Sequence, residues 1–130
     1  MEEQTKTEQT DNYIDEGDLL IEQGDFDSAI RVYTGAISRE PQDGFIYFLR
    51  GDAYIIKSDY HNVIADANEA IKTGHFLDNA YLVSGKANYN PGLMGQAFED
   101  WKTAANHGSK GALIELEKYG IKYTPLKKPQ

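Results

Sequence analysis

The sequence predicts an all-α solenoid of three helix pairs followed by a C-terminal capping helix, and three observations predict it. Gly17, Gly51 and Gly85 recur every 34 residues, as do Tyr13, Tyr47 and Tyr81, and Ala36, Ala70 and Ala104. Between these markers, apolar residues return at three- and four-residue spacing, the period of one helix face. Turn residues break each unit in two and separate it from the next. A fixed period of this length marks a repeat architecture, in which each unit buries its apolar face on its neighbours. Weaker columns keep the same period: Ala29, Val63 and Ala97, then Ile30, Ile64 and Phe98, then Phe26, Tyr60 and Met94.

In the first unit, Asn12 to Gln23 sets Tyr13, Gly17 and Leu20 on one helix face, and Gly24-Asp25 breaks it. Phe26 to Ser38 forms the second helix, and Pro41 ends the unit because proline cannot continue a helix. In the second unit, Gly44 to Lys57 is followed by Ser58-Asp59, Tyr60 to Lys72 and the closing Thr73-Gly74. In the third, Asp78 to Tyr89 meets Asn90-Pro91-Gly92, and Gly95 to His107 follows. Gly108 reads as a C-cap glycine. Lys110 to Tyr119 is the capping helix, with Leu113, Leu116 and Tyr119 on one side and Gly120 at its stop. A glycine inside a helix costs about 1 kcal/mol relative to alanine. Three at one phase therefore imply that the helices of each pair approach closely there.

These elements divide the chain into a disordered tail over 1–10, a repeat domain over 11–121 and a basic flexible tail over 122–130. The repeats lie near 10–43, 44–77 and 78–109, with the capping helix at 110–119. The opening MEEQTKTEQT is polar and lacks the apolar segment of a secretory signal, so a cytoplasmic location is expected. At 130 residues, 40% hydrophobic and 26% charged, the chain suits one folded domain. Its net charge of −8 disfavours nucleic acid and anionic membrane surfaces as partners. With no cysteine, disulfides, thiolate zinc sites and cysteine nucleophiles are excluded.

The residues in these columns resemble the tetratricopeptide repeat (TPR) family, whose unit is two antiparallel helices in 34 residues. In the first unit Tyr13, Gly17, Leu20, Gly24, Phe26, Ala29, Tyr33, Ala36 and Pro41 sit at the family's signature spacings. The second unit departs at Ser58, where glycine is usual, at Ala67, where an aromatic is usual, and at His75, where proline is usual. The third keeps Tyr81, Gly85, Gly92, Ala97, Trp101 and Ala104, and its WKTAANHGSKGA is similar to Sel1-like repeats. The resemblance implies a right-handed solenoid with the first helix of each pair on the concave side. It also implies a non-catalytic scaffold module that holds a protein segment there.

Carried over by phase, the concave positions include Ile14, Asp18 and Ile21, then Phe45, Phe48, Asp52 and Ile55, then Leu82, Lys86 and Tyr89. The large apolar members are expected to form an exposed strip, although packing between adjacent first helices is the alternative. The strip and its carboxylates point to a protein or peptide partner that is apolar with basic character. Self-association through the groove or an end surface, giving a homo-oligomer, is the competing reading. A third is that the basic tail around Lys127-Lys128 folds onto the groove. Some TPR proteins clamp the C-terminal carboxylate of chaperone peptides with lysine and asparagine. At the matching positions stand Ile14, Asp18, Leu49, Asn79 and Val83, none a cation.

No catalytic, cofactor or metal site is expected. His61, His75 and His107 have no metal-ligand spacing, and the many carboxylates are accounted for by N-caps and solvated faces. Trp101 is expected in the core, in the slot that Tyr33 fills in the first unit.

Overall fold

A computed structural model describes residues 5–74, 76–88 and 94–126. Seven helices follow one another: α1 (Lys6–Glu22), α2 (Phe26–Arg39), α3 (Gly44–Ile56), α4 (Tyr60–Thr73), α5 (Leu77–Ala87), α6 (Met94–Asn106) and α7 (Lys110–Lys118). The pairs α1/α2, α3/α4 and α5/α6 pack most extensively, and each second helix packs on the first helix of the next pair. The first helices α3 and α5 also touch.

Side-chain caps start five of the helices. Asp25, Asp43, Asp59 and Ser109 stand just before α2, α3, α4 and α7, and their side chains accept first-turn backbone N–H groups. α1 begins earlier than the apolar period suggested. Thr5 and Glu8 form a reciprocal capping box, Gln9 accepts a hydrogen bond from Arg39, and Thr10 is buried. The expectation of a disordered tail therefore fails for residues 5–10, and residues 1–4 lie outside the described part.

The glycine column does what its period implied at two of its three positions. A Cβ on Gly17 would lie 2.4 Å from the Tyr33 ring, and one on Gly85 would lie 2.3 Å from the Trp101 indole nitrogen. Each glycine thus seats the aromatic of its partner helix, and both rings are only 1% exposed. In the middle pair Ala67 stands in the aromatic's place. There a Cβ on Gly51 would meet Asp66 and Val83 at 3.5 Å, an ordinary contact. Ala36, Ala70 and Ala104 are fully or almost fully buried, as are Ala29, Val63 and Ala97.

The ends are finished differently. On α3, Ile46, Leu49 and Ala53 face the preceding hairpin; one period earlier, α1 carries Asn12, Asp15 and Leu19, all exposed. Asn12 and Asp15 make this face of the end helix, on which no hairpin is stacked, largely polar. At the other end, Ala112 and Leu116 of α7 join Trp101 in one core cluster, and Tyr119 packs on both Phe98 and Trp101. The segment after Gly120 is docked, contrary to the free tail expected from residue 122. Ile121, Tyr123 and Pro125 alternate with exposed neighbours, an extended pattern with one face on the protein. The Tyr123 hydroxyl and the Leu126 N–H both donate to Asn106 Oδ1, at 3.0 and 2.8 Å. This runs the segment along α6 and α7, not over the first helices. Lys127 and Lys128 lie outside the described residues.

Ser58 adopts φ +58°, in the turn where the first unit has Gly24 at φ +80°. A side chain in this left-handed region costs roughly 1–2 kcal/mol. Ser58→Gly is expected to raise stability by about 1 kcal/mol, read as a higher midpoint in urea at unchanged slope.

Candidate functional site

Most of the expected concave strip is used for stacking. Ile14 and Ile21 pack on the cluster of Ala29, Tyr33, Ala36 and Ile46. Phe48 and Ile55 pack on Val63, Val83 and Ala87. Leu82 lies beneath the capping helix, close to Gly111. All five are half-buried, so the column forms the seam between successive repeats and is not a free apolar strip. Tyr89 lies outside the described residues. The reason is geometric: along this phase α3 touches α5, α7 covers Leu82, and Ile14 and Ile21 of α1 close on the cluster that includes Ile46 of α3.

Two side chains outside the expected set restore apolar exposure on this side. Ile56, at the end of α3, is 50% exposed, and Phe76, just before α5, is 47% exposed. Phe76 stacks obliquely on Phe45 with ring centroids 5.3 Å apart, and Phe45 lies 6.0 Å from Phe48. Phe76 also takes φ +54°, an uncommon conformation for a bulky residue. The repeat period gave no signal for it, because it lies in a connection.

The polar residues gather between α1 and α3. A cleft there is lined by Asp18, Ile21, Glu22, Tyr33, Leu49, Asp52, Ala53 and Ile56. Tyr33, anchored in the core over Gly17, brings its hydroxyl to the cleft and donates to Asp18 Oδ1 at 2.6 Å. Burial pushes the Tyr33 phenol well above its ordinary range, and the hydrogen bond and negative charge of Asp18, then the charge of Asp52, push it the same way. The phenol therefore stays protonated and acts as a fixed donor. Burial also raises the Asp52 carboxyl, and the positive charge of Lys86 on α5 opposes that shift.

Because the folded Asp52 carboxyl holds its proton more tightly than the unfolded one, its proton-linked stability is full below about pH 3.8 and is lost as pH rises through the raised folded value. Asp52→Asn is therefore expected to raise the melting temperature at neutral pH and to flatten the acid side of the stability profile. Thermal melts between acid and neutral pH check this.

Two further polar groups bind the helices to each other and were missed by the sequence reading. Arg50 makes a two-pronged ion pair with Asp66, Nε to Oδ2 at 2.9 Å and Nη2 to Oδ1 at 2.6 Å. It also donates to Thr34 Oγ1 on α2 and lies over the Tyr47 and Tyr54 rings. One period later, buried Asp100 accepts from Ser84, Asn88 and Gln96. Their signal was Asp66 and Asp100 at the 34-residue spacing, on the packed face of each second helix.

This is a stacked helical-hairpin solenoid with a cleft between its first helices. Residues 10–43 match the tetratricopeptide repeat family, and some of the same residue types recur 34 residues apart in the second and third pairs. That match covers one of the three helix pairs, and the likeness of the whole chain to tetratricopeptide repeat domains is one of fold. It is 38% identical over 63 residues to the SGT1 homolog of Oryza sativa subsp. japonica. That match covers 48% of this chain and 17% of the rice protein, so the chain spans about a sixth of that relative. The fold is that of the second TPR domain of human RPAP3, solved in complex with the HSP70 peptide SGPTIEEVD. The TM-score is 0.78 at 25% identity, covering 91% of this chain and 100% of that one. The first TPR of Spaghetti (RPAP3), bound to the HSP90 peptide SRMEEVD, gives 0.77 at 22% identity, covering 86% and 90%. The Arabidopsis OM64 TPR domain gives 0.79 at 20% identity, covering 88% and 99%. No helix among the described residues is long and apolar enough to cross a membrane.

Proposed function

We propose that the chain is a non-catalytic, cytoplasmic protein-interaction module that holds a segment of a partner protein against its first helices. The observation that carries this is the cleft between α1 and α3, where the carboxylates of Asp18, Glu22 and Asp52 stand among apolar side chains on the side where the TPR fold leaves its first helices facing outward. The RPAP3 domains were solved with peptides of HSP70 and HSP90, which supports peptide binding as the mode. Those peptides end in acidic residues. This chain offers Asp18 and Asp52 instead of a cationic clamp, and Val83 at a clamp position is buried. Like charges in the groove would repel an acidic terminus, so the partner segment is apolar with basic character.

Affinity capture from the cells that express the protein tests this. The comparison variants are Ile56→Glu and Phe76→Glu, both at exposed positions outside the seam in which Phe48 and Leu82 pack. Proteins captured by the native chain and lost with these variants are the expected result; an identical set would remove the groove as the working surface. A mass that grows with concentration in light scattering, abolished by the same variants, would assign the face to self-association.

A further inference from the structure

Resting on the groove reading above, we propose that the α1/α3 cleft is a socket for one lysine or arginine side chain of the partner segment. The cationic head sits between Asp18 and Asp52, and the methylene stem lies on Ile21, Leu49 and Ile56. Three features of the cleft argue for it. The Tyr33 hydroxyl occupies Asp18 Oδ1, which fixes the carboxylate in one orientation and leaves its other oxygen for a donor from outside. Asp52, half-buried, has no hydrogen-bond donor and no ion-pair partner among the described residues; the charge of Lys86 acts on it only at a distance. Apart from Glu22 at the edge and Tyr33, the walls are apolar (Ile21, Leu49, Ala53 and Ile56), which matches the long stem of a basic side chain and not a compact hydrated ion. The carboxylates do not gather with other ligands as a metal-holding set among the described residues.

The proposal sets a specificity rule: one basic position, flanked by apolar residues, is required in the bound segment. A neutral polar residue would offer Asp52 a hydrogen bond but leave the charge of a less solvated carboxylate uncompensated. An acidic residue would be repelled. Lys86, on the next first helix, competes with the incoming cation for Asp52, so its removal strengthens binding.

A phage-displayed library of random dodecapeptides, panned on the full chain, supplies the probe. The expected selection carries a lysine or arginine at one fixed position beside apolar residues. Replacing that residue by glutamine in the best synthetic peptide weakens binding by about tenfold or more, the effect of one charge-assisted contact. On the Asp18→Asn/Asp52→Asn variant the same replacement changes affinity less than about twofold, because the two losses are one interaction. Lys86→Gln tightens the lysine peptide and leaves the glutamine peptide unchanged. The asparagine variant keeps an acceptor for Tyr33, and a melting curve at or above that of the native chain shows that it is folded.

A selection without a fixed basic position, or an equal loss on the native chain and the asparagine variant, overturns the socket. If those peptides are still lost with Ile56→Glu and Phe76→Glu, the groove stands without it. Peptides indifferent to all these substitutions, or no selection at all, would overturn the groove and the socket together.

Discussion

Arg50→Ala and Asp66→Ala are each expected to destabilise the protein by about 3–5 kcal/mol, the usual result of stranding one half of a buried ion pair. The Asp66 side chain is 3% exposed and that of Arg50 is 19%, so water replaces little of what is lost. Burial raises the Asp66 carboxyl above its ordinary value, and the guanidinium fork beside it pulls against that shift. Asp66 in turn holds Arg50 firmly in its charged form. Arg50→Met/Asp66→Leu, which removes both charges, is expected to fall much closer to native stability, because an apolar pair of similar volume avoids the desolvation cost. A double-mutant cycle in urea checks both statements. A loss in the double variant equal to the sum of the two single losses would show that the side chains act independently and that the charge pair carries no effect. Arg50 also reaches Thr34 on α2, so the single variants should broaden the unfolding transition as coupling between the first two hairpins weakens.

The glycine column is expected to split under alanine substitution. Gly17→Ala and Gly85→Ala each place a methyl inside an aromatic ring held almost wholly in the core, and should cost roughly 1–3 kcal/mol or more. The Trp101 indole has little room to move away, since its N–H also donates to the Leu82 carbonyl at 3.3 Å. Gly51→Ala meets only ordinary contacts and removes a helix-interior glycine, so it should be neutral or stabilise by up to about 1 kcal/mol. Chemical unfolding of the three variants decides the matter. A uniform loss across all three would mean that the middle pair is packed as tightly as its neighbours.

Asp52→Asn and Ser58→Gly are both expected to stabilise, for different reasons. At Ser58 a side chain is held where glycine fits better. At Asp52 a carboxylate is partly desolvated with only a distant cation. Such a cost at a concave position is what a groove that waits for a basic partner would show.

Much of this was legible from residues 34 apart. Recurrence of Tyr, Gly and Ala placed the helix ends, the start of α1 excepted, to within a few residues, and Trp101 stands in the Tyr33 slot. The start of α1 was missed although Thr5-Lys6-Thr7-Glu8 is a capping box in plain sequence. The apolar period begins only at Tyr13, and it outweighed the cap signal. The alternation of Ile121, Tyr123 and Pro125 was missed because two prolines and three lysines dominate that segment. The Arg50–Asp66 pair was hidden among 21 acidic residues, most of which need no partner.

Periodicity by itself determined that this protein is three stacked helix pairs, because a 34-residue rhythm of small and large residues is satisfied only when like surfaces meet like surfaces along a line. Which residues face outward was decided by the tertiary structure alone. Ile14, Phe48 and Leu82 share a phase that points toward the concave side, yet the curvature of the stack presses them into its seams. Ile56 and Phe76, at the end of a helix and in a connection, are left to solvent. A side chain's phase on its own helix is a local property; its exposure depends on the tilt of the next hairpin, which no single column records.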